Sequence, residues 1–522
     1  MGGNSYMGKR SFKKLGILVC ALLLAVIVGC QSVGGVNLND MLLKQLDVSK
    51  QEQSQSFELT FDVNEELLAE EGPDIVKAVN AFKKVALNIT ESKVDEKGNQ
   101  WMTGVFTFGK GTIPFTLHID AKAVRIDVGG AKRSLVFELP DMEQAFSLEG
   151  KDAGESRQAI VESVRELMKK VASYFVKGLP NPPVISVDRV TQPIHGESTA
   201  LTKVHAELNG EQFGELIGVY LDNLVKDREG FKAAVKNVYL WMADMPQEMK
   251  EAFGVSDLFD GDADLDEMTD TVTVLLFPKL KEAQKEYKEF RGTDDWKEAF
   301  DKGITMKADM YVDDSLHLRK WAMDINIAPA ALTVEDSPIR SIKLAASGEI
   351  WNVNGKVEVP AVQVPRNALS VEELSDMQSF QIVRLFEEDS AMYDLLKNEL
   401  HVGDQSFQLS SEWGVPFYVD SKGVAYVPIR STLKEFGIRL SVPKAAGEIR
   451  FYDEATGQSF VLRKGSAKAT VNGKSVTLAH KITADANFTY VSADDLFGLL
   501  GAEYEITEYE DGELVMDVTR EL

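Results

Sequence analysis

Alternation of apolar and polar residues, broken at intervals by glycine-bearing turns, dictates the fold of most of this chain. Phe57, Leu59, Phe61 and Val63 alternate with Glu58, Thr60 and Asp62, so every apolar group falls on one face of a strand. Residues 101–108 and 113–119 repeat the pattern around Gly109-Lys110-Gly111, and 124–128 and 134–139 repeat it around Gly129-Gly130. Both pairs read as hairpins. Further on, 305–312 with 316–327 turn at Asp313-Asp314-Ser315, and 341–353 with 356–359 turn at Asn354-Gly355, a pair favoured in two-residue hairpin loops. Strands joined by turns this short run antiparallel, because a parallel pair needs a crossover of about a dozen residues or more.

Helical spacing is inserted between the strands. Pro73 opens a helix carrying Ile75, Val76, Val79, Phe82 and Val85. Residues 156–176 put Ile160, Val164, Leu167, Met168, Val171 and Phe175 on one stripe, which stops before Pro180, Pro182 and Pro183. A strand over 201–208 leads through Asn209-Gly210 into a helix bearing Phe213, Leu216, Ile217, Tyr220 and Leu224, and 231–241 and 280–290 read as helices too. The pattern predicts a large α+β domain over 57–362, an antiparallel sheet with inserted helices, with 51–56 (QEQSQS) as a linker before it. At the level of the fold, this plan resembles the bacterial lipoprotein-carrier fold, in which a curved antiparallel sheet is closed by helices over an apolar hollow. The resemblance implies a carrier of a lipid or other apolar ligand.

The location of the chain is written at its start. Lys9, Arg10, Lys13 and Lys14 precede the uncharged stretch 15–30, LGILVCALLLAVIVGC, which is the plan of a secretory signal peptide and is too short for a comfortable membrane span. Its end, Ile27-Val28-Gly29-Cys30, resembles a bacterial lipobox. That resemblance implies cleavage after residue 29, acylation of Cys30, and a tether over 30–56 holding the protein to the outer face of the cell membrane. Cys20 lies in the segment to be removed, so the mature chain would have no disulfide and would depend on cores of normal size. The net charge of −25 becomes more negative once the basic leader is gone, which argues against nucleic acid as a partner.

Beyond residue 400 the chain repeats itself. Tyr426-Val427 recurs as Tyr490-Val491, and the same sixty-four-residue offset relates Leu433 to Phe497, Phe436 to Leu500 and Gly437 to Gly501. Each copy reads as a short strand, one or two helical turns, a glycine that ends the helix in the left-handed region, and a new strand. Tyr426, Val427, Leu433 and Phe436 are expected to bury a face against Tyr490, Val491, Phe497 and Leu500. The text Gly423-Val424-Ala425-Tyr426-Val427-Pro428-Ile429-Arg430, then Leu433, Phe436-Gly437, and Thr470-Val471-Asn472-Gly473 resembles the copper amine oxidase N-terminal-like domain, a stalk-type domain. In the second copy Ser492 and Asp494 stand where the family often has Pro and Arg. The resemblance implies a smaller, internally duplicated α+β domain over 398–522, joined to the first by a helical connection over 363–397. In the oxidases the copper and the quinone belong to a separate catalytic domain. Here the six histidines are scattered and no Asn-Tyr dipeptide occurs, so the parts of an oxidase are missing.

One acidic cluster remains. Asp260, Asp262 and Asp264 have the alternation of a calcium loop, but Leu265 occupies the sixth position, where an EF-hand needs Gly, and Thr271 the twelfth, where it needs Glu. The cluster reads either as a weak calcium site or as a solvated acidic loop. No Gly-x-Ser-x-Gly, P-loop or zinc spacing is present. The sequence therefore points to a lipid-anchored extracytoplasmic protein, without catalytic machinery or cofactor, that binds or scaffolds an envelope component. The alternative is a carrier of an apolar ligand in the large domain.

Overall fold

A computed structural model describes residues 37–522 apart from 71, 110, 140–152, 246, 253, 257–263, 329–337, 414–415, 442–444, 446, 485–487 and 510–511. It divides into two compact units, one within 37–129 and 133–370, the other formed by Gly130–Lys132 and Val371–Leu522. Both are mixed α+β, as the alternation and helical spacing predict. Cys30, Asp260 and Asp262 lie outside the described residues.

The first unit begins with α1 (Leu38–Lys44), capped by the Asn37 side chain. Then come β1 (Gln51–Val63), α2 (Glu65–Glu70), α3 (Pro73–Phe82), β2 (Lys84–Val94), β3 (Gln100–Phe108), β4 (Gly111–Ile119), β5 (Ala123–Val128) and β6 (Leu135–Glu138). The chain continues through α4 (Ala153–Lys177), β7 (Val184–Ile194), β8 (Glu197–Asn209), α5 (Gly210–Lys226), α6 (Arg228–Ala243), α7 (Gln247–Ala252), α8 (Leu265–Phe290) and α9 (Asp294–Ala299). It closes with β9 (Ile304–Val312), β10 (Leu318–Ile327) and β11 (Ile339–Trp351).

All eleven strands form one antiparallel sheet in the order β6-β5-β4-β3-β2-β1-β11-β10-β9-β8-β7. Two meanders meet at its centre. The chain walks from β1 out to the β6 edge, crosses to the β7 edge, and walks back to β11, which pairs along the whole of β1. Helix α5 starts where expected, with a reciprocal capping box between Asn209 and Gln212.

Several expectations for this unit are corrected. Residues 51–56 are no linker but the first half of β1, where polar side chains on both faces hide a strand fixed by its pairing with β2 and β11. Val85 is not the end of a helix. It sits in β2 opposite Leu59 and Phe108, because α3 stops at Phe82 and the alternation Val85, Leu87, Ile89 takes over. Helix α8 runs through Pro278 from Leu265, fifteen residues before the predicted start. Asn354 adopts a positive φ of 53°, but its side chain ties the turn to Ser49, and 356–359 forms no strand.

The second unit opens with α10 (Val371–Ser375), α11 (Ser379–Val383) and α12 (Ala391–Asp394). These helices, expected as a connection, are part of the unit: Arg384 donates to the carbonyls of Glu454 and Ala455, and Gln381 to the Glu454 carboxylate. Three small sheets follow. One is β12-β23-β22 (Gln405–Ser410, Leu514–Arg520, Glu503–Glu508). Another is β13-β14-β21-β20 (Tyr418–Val419, Ala425–Pro428, Thr489–Ser492, Thr483–Ala484). The third is β15 to β19 in sequence order (Leu440–Ser441, Glu448–Asp453, Gln458–Arg463, Lys468–Val471, Lys474–Thr477). Helices α13 (Ile429–Glu435) and α14 (Ala493–Leu500) are the repeated pair.

The duplication is real in space. Strands β14 and β21 pair with Val427 opposite Val491, and Gly437 and Gly501 hold φ values of 71° and 69°, the left-handed geometry that ends each helix. Val427, Leu433, Phe436, Val491, Phe497 and Leu500 share one core, and Phe436 meets Phe497 edge to face at 6.1 Å. Tyr490 is buried as expected and Tyr426 half-buried, but neither joins that core. As immediate neighbours of Val427 and Val491 on strands, they point to the opposite side of the sheet.

Candidate functional site

The pairing register gives the large sheet one continuous apolar face. A single row across it reads Leu208, Met306, Ile325, Leu344, Leu59, Val85 and Phe108. The next row, two residues along each strand, reads Ala206, Ala308, Met323, Ala346, Phe57, Leu87, Phe106 and Ile113. Side chains two apart on a strand share a face, so this surface runs unbroken from β8 to β4.

Its two halves are treated differently. On β8 to β10, α5 and α9 cover Leu208, Met306 and Ile325 with Phe213, Trp296 and Phe300. Helix α1 covers Val204, Met310 and Val312 with Leu38 and Met41. Those residues are buried. On β1 to β5 the same face is only half-buried: Phe57, Leu59, Leu87, Phe106, Phe115, Leu117 and Ile126 all keep part of their surface open. An exception is the rim, where Phe82 of α3 stacks on Phe108 at 6.0 Å and both Phe108 and Ile113 are buried. Apolar side chains on sheet neighbours, with no packed layer above them among the described residues, leave an open apolar face rather than a core.

Two glycines shape this face. At Gly348 a Cβ would lie 2.6 Å from Trp321 Nε1 and 2.9 Å from Cε2, so the indole fills the space where a side chain would otherwise stand. At Gly104 the ring of Phe115 takes the same position, 2.9 Å from where a Cβ would be. Gly348 and Trp321 are cross-strand partners, as are Gly104 and Phe115. Trp321 also meets Phe57 at 6.1 Å, across β11 from it.

The helices carry a second set of uncovered apolar groups. On α4 these are Val164, Met168 and Phe175; on α8 they are Val274, Leu275 and Leu276, more than half exposed in an otherwise charged helix. Phe277 and Thr273 on the same helix are buried against α6, with Phe231 5.4 Å from Phe277. Helix α8 is thus apolar all round over one and a half turns, which is the pattern of a segment with apolar neighbours on more than one side.

The opposite face of the sheet is polar and self-paired. His205 Nδ1 lies 2.6 Å from Asp309 and its Nε2 3.1 Å from Glu207, while Lys203 and Lys307 hold the same carboxylates at 3.0 and 3.1 Å. Burial acts to raise the Asp309 carboxyl, but bonds from His205 and Lys203 outweigh it and hold the group below its ordinary value. Burial depresses His118, with Arg125 acting in the same direction, and its Nε2 has no hydrogen-bond partner among the described residues. These are features of a solvated structural face; no nucleophile stands beside a base in them.

Of the three carboxylates with the calcium-loop alternation, Asp264 is the one within the described residues. Its carboxylate accepts from the amides of Asp266 and Glu267 at 2.9 and 3.2 Å, capping α8. Among the described residues no group of three or more His, Cys, Asp or Glu is arranged to hold a metal ion. No helix among them is long and apolar enough to cross a membrane. Sequence reasoning found the β1 stripe but not Trp321, Phe115, Gly104 and Gly348, which matter only through pairing partners far away in the chain.

Comparison with known proteins bears on the second unit. Residues 410–511 match the family model of the copper amine oxidase N-terminal domain, and no curated protein matches the chain. The match falls on a domain that is an accessory to catalysis in its namesake, and it covers the duplicated β14–α13 and β21–α14 pairs.

Proposed function

We propose that this protein is a lipid-anchored, extracytoplasmic binding protein whose large unit carries an apolar ligand and whose second unit is a non-catalytic, stalk-type accessory. The observation that carries the reading is the half-buried face of β1 to β5, continuous with a core yet without a packed layer among the described residues. Of the two functions consistent with the sequence, scaffolding needs no such face; carriage does.

Magnitudes narrow the ligand. Each buried methylene contributes about 0.8 kcal/mol, so a ligand burying about ten gains about 8 kcal/mol, and association costs at least about 4 kcal/mol of it. A single short chain would bind in the millimolar range. A two-chain lipid with about twenty buried methylenes would bind well below micromolar by the same count, so a diacyl lipid suits the face better. The acyl chains on Cys30 would keep the carrier beside a membrane that supplies such molecules, since two chains anchor stably where one does not.

Titration of residues 37–522 with a fluorescent diacyl lipid tests the proposal. Saturable binding that Phe57→Glu and Leu59→Glu weaken at unchanged unfolding midpoint supports it. Binding that is absent, or that both variants leave unchanged, contradicts it.

A further inference from the structure

The second unit has a surface of its own whose chemistry differs from that of the large sheet. A groove of about 350 Å³ is lined by Arg430, Ser431, Ser441, Glu448, Arg450, Lys464 and Phe488 among others. In a chain of net charge −25 this groove is cationic. Glu448, the one carboxylate among its described lining residues, is only 4% exposed at the side chain and is shared by Arg450 Nε and Arg463, each at 2.9 Å. That buried carboxylate fixes the two guanidiniums, and the Arg450 bond runs through Nε, leaving its terminal nitrogens for another acceptor. Arg430 and Lys464 are exposed and make no ion pair among the described residues.

An aromatic ledge begins at the same groove. Phe488, 40% exposed, lies 6.0 Å from Tyr490; Tyr490 meets Tyr418 edge to face at 5.1 Å, and Tyr418 stacks on Tyr426 at 5.2 Å. The rings lie on the side of the four-stranded sheet away from Val427 and Val491, which fill the core; Phe488 and Tyr418 are its exposed members, Tyr426 is half-buried, and Tyr490 is buried between them. The carboxylates at the far end of the ledge are already engaged. Asp420 accepts from the amides of Lys422 and Val424, and Asp495 from those of Ala479 and His480. The surface therefore has a polarity, positive at the Phe488 end and negative at the Tyr426 end.

We infer that this surface binds an acidic saccharide, with the acidic group in the groove among Arg430, Arg450 and Lys464 and sugar rings laid along Phe488 and Tyr418. Planar rings offer the flat apolar face that a pyranose presents its C–H groups to, and guanidiniums give the charge-assisted hydrogen bonds that a carboxylate or phosphate accepts. Neither half alone selects this class. Cations without the ledge would take any small anion, and the ledge without cations any neutral sugar. The site is independent of the apolar face of the first unit.

Calorimetric titration of residues 37–522 tests the inference with four probes: an oligomer of alternating glucuronate and N-acetylglucosamine, a phosphorylated mannose oligomer, neutral N-acetylglucosamine tetramer, and inorganic phosphate. The expected result is saturable binding of one or both acidic oligomers, weakened by salt, with the neutral oligomer about tenfold weaker or more for want of the charge-assisted contact and inorganic phosphate about tenfold weaker or more for want of the ring contacts. The arm that binds tells carboxylate from phosphate. Arg430→Gln with Lys464→Gln should weaken the acidic oligomers about tenfold or more. Phe488→Ala should weaken the oligomers and leave inorganic phosphate unchanged. All three side chains are exposed, and an unchanged unfolding midpoint checks that the variants fold. No binding of either acidic oligomer, equal binding of the neutral one, or wild-type affinity in the variants would overturn the inference.

Discussion

Replacing Asp453 should do more harm than its size suggests. Its carboxylate meets Arg520 at 2.9 and 3.3 Å, and both side chains are 1% exposed. Arg520 has few other supports: a long bond to the Leu500 carbonyl at 3.4 Å, the face of Phe436 at 4.9 Å, and an Nε with no partner among the described residues. Asp453→Ala strands a buried guanidinium, and breaking a buried pair from one side costs about 3–5 kcal/mol. Asp453 also accepts from the Ala455 amide and the Thr456 hydroxyl, so the upper half of that range is expected. Asp453→Asn keeps an acceptor and should cost less. The double change Asp453→Leu with Arg520→Met removes both charges at similar volume and should recover most of the loss, since apolar replacement of a buried pair is often neutral or better. Urea-dependent hydrogen exchange read by mass spectrometry is the assay, because it follows β16 and β23 separately from the strands of the first unit. A cost below about 1 kcal/mol for Asp453→Ala, or a double variant as unstable as the single, would refute the argument that the stranded charge sets the cost.

Other perturbations probe other parts of the account. Gly348→Val must push the Trp321 indole off the strand, which should cost about 1–3 kcal/mol as overpacking does and change tryptophan emission; an unchanged spectrum would mean that the ring does not lie there. Asp309 has a folded value below its ordinary 3.8, so its contribution is complete above that value and is lost as pH falls through the lowered folded value. The urea midpoint difference between wild type and Asp309→Asn should hold at pH 5 and shrink only below about pH 4. Cys30→Ser should release the protein from membranes or leave its precursor uncleaved; unchanged fractionation and mass would remove the anchor from the account.

Local rules made the elements legible, and long-range pairing decided the rest. Phe57 to Val63 announced a strand because its apolar groups alternate, and Asn209-Gly210 announced a helix start that the capping box fulfils. Gln51 to Ser56 announced nothing, since a strand at a sheet centre draws its stability from partners on β2 and β11 that are distant in sequence. The core of the second unit is readable from the sixty-four-residue repeat except at Tyr426 and Tyr490, whose position beside Val427 and Val491 on a strand turns them away from that core. The open apolar face is the least legible feature. Its glycines read as weak points in strands until the register sets Trp321 and Phe115 over them.

The most direct measurement is mass spectrometry of an organic extract from residues 37–522 purified without detergent after secretion by cells. The account predicts a defined set of two-chain lipids at a fixed ratio to protein, reduced in Phe57→Glu and in Phe115→Glu. An extract containing no apolar molecule above the level found with an unrelated secreted protein, or one whose content both variants leave unchanged, would contradict it.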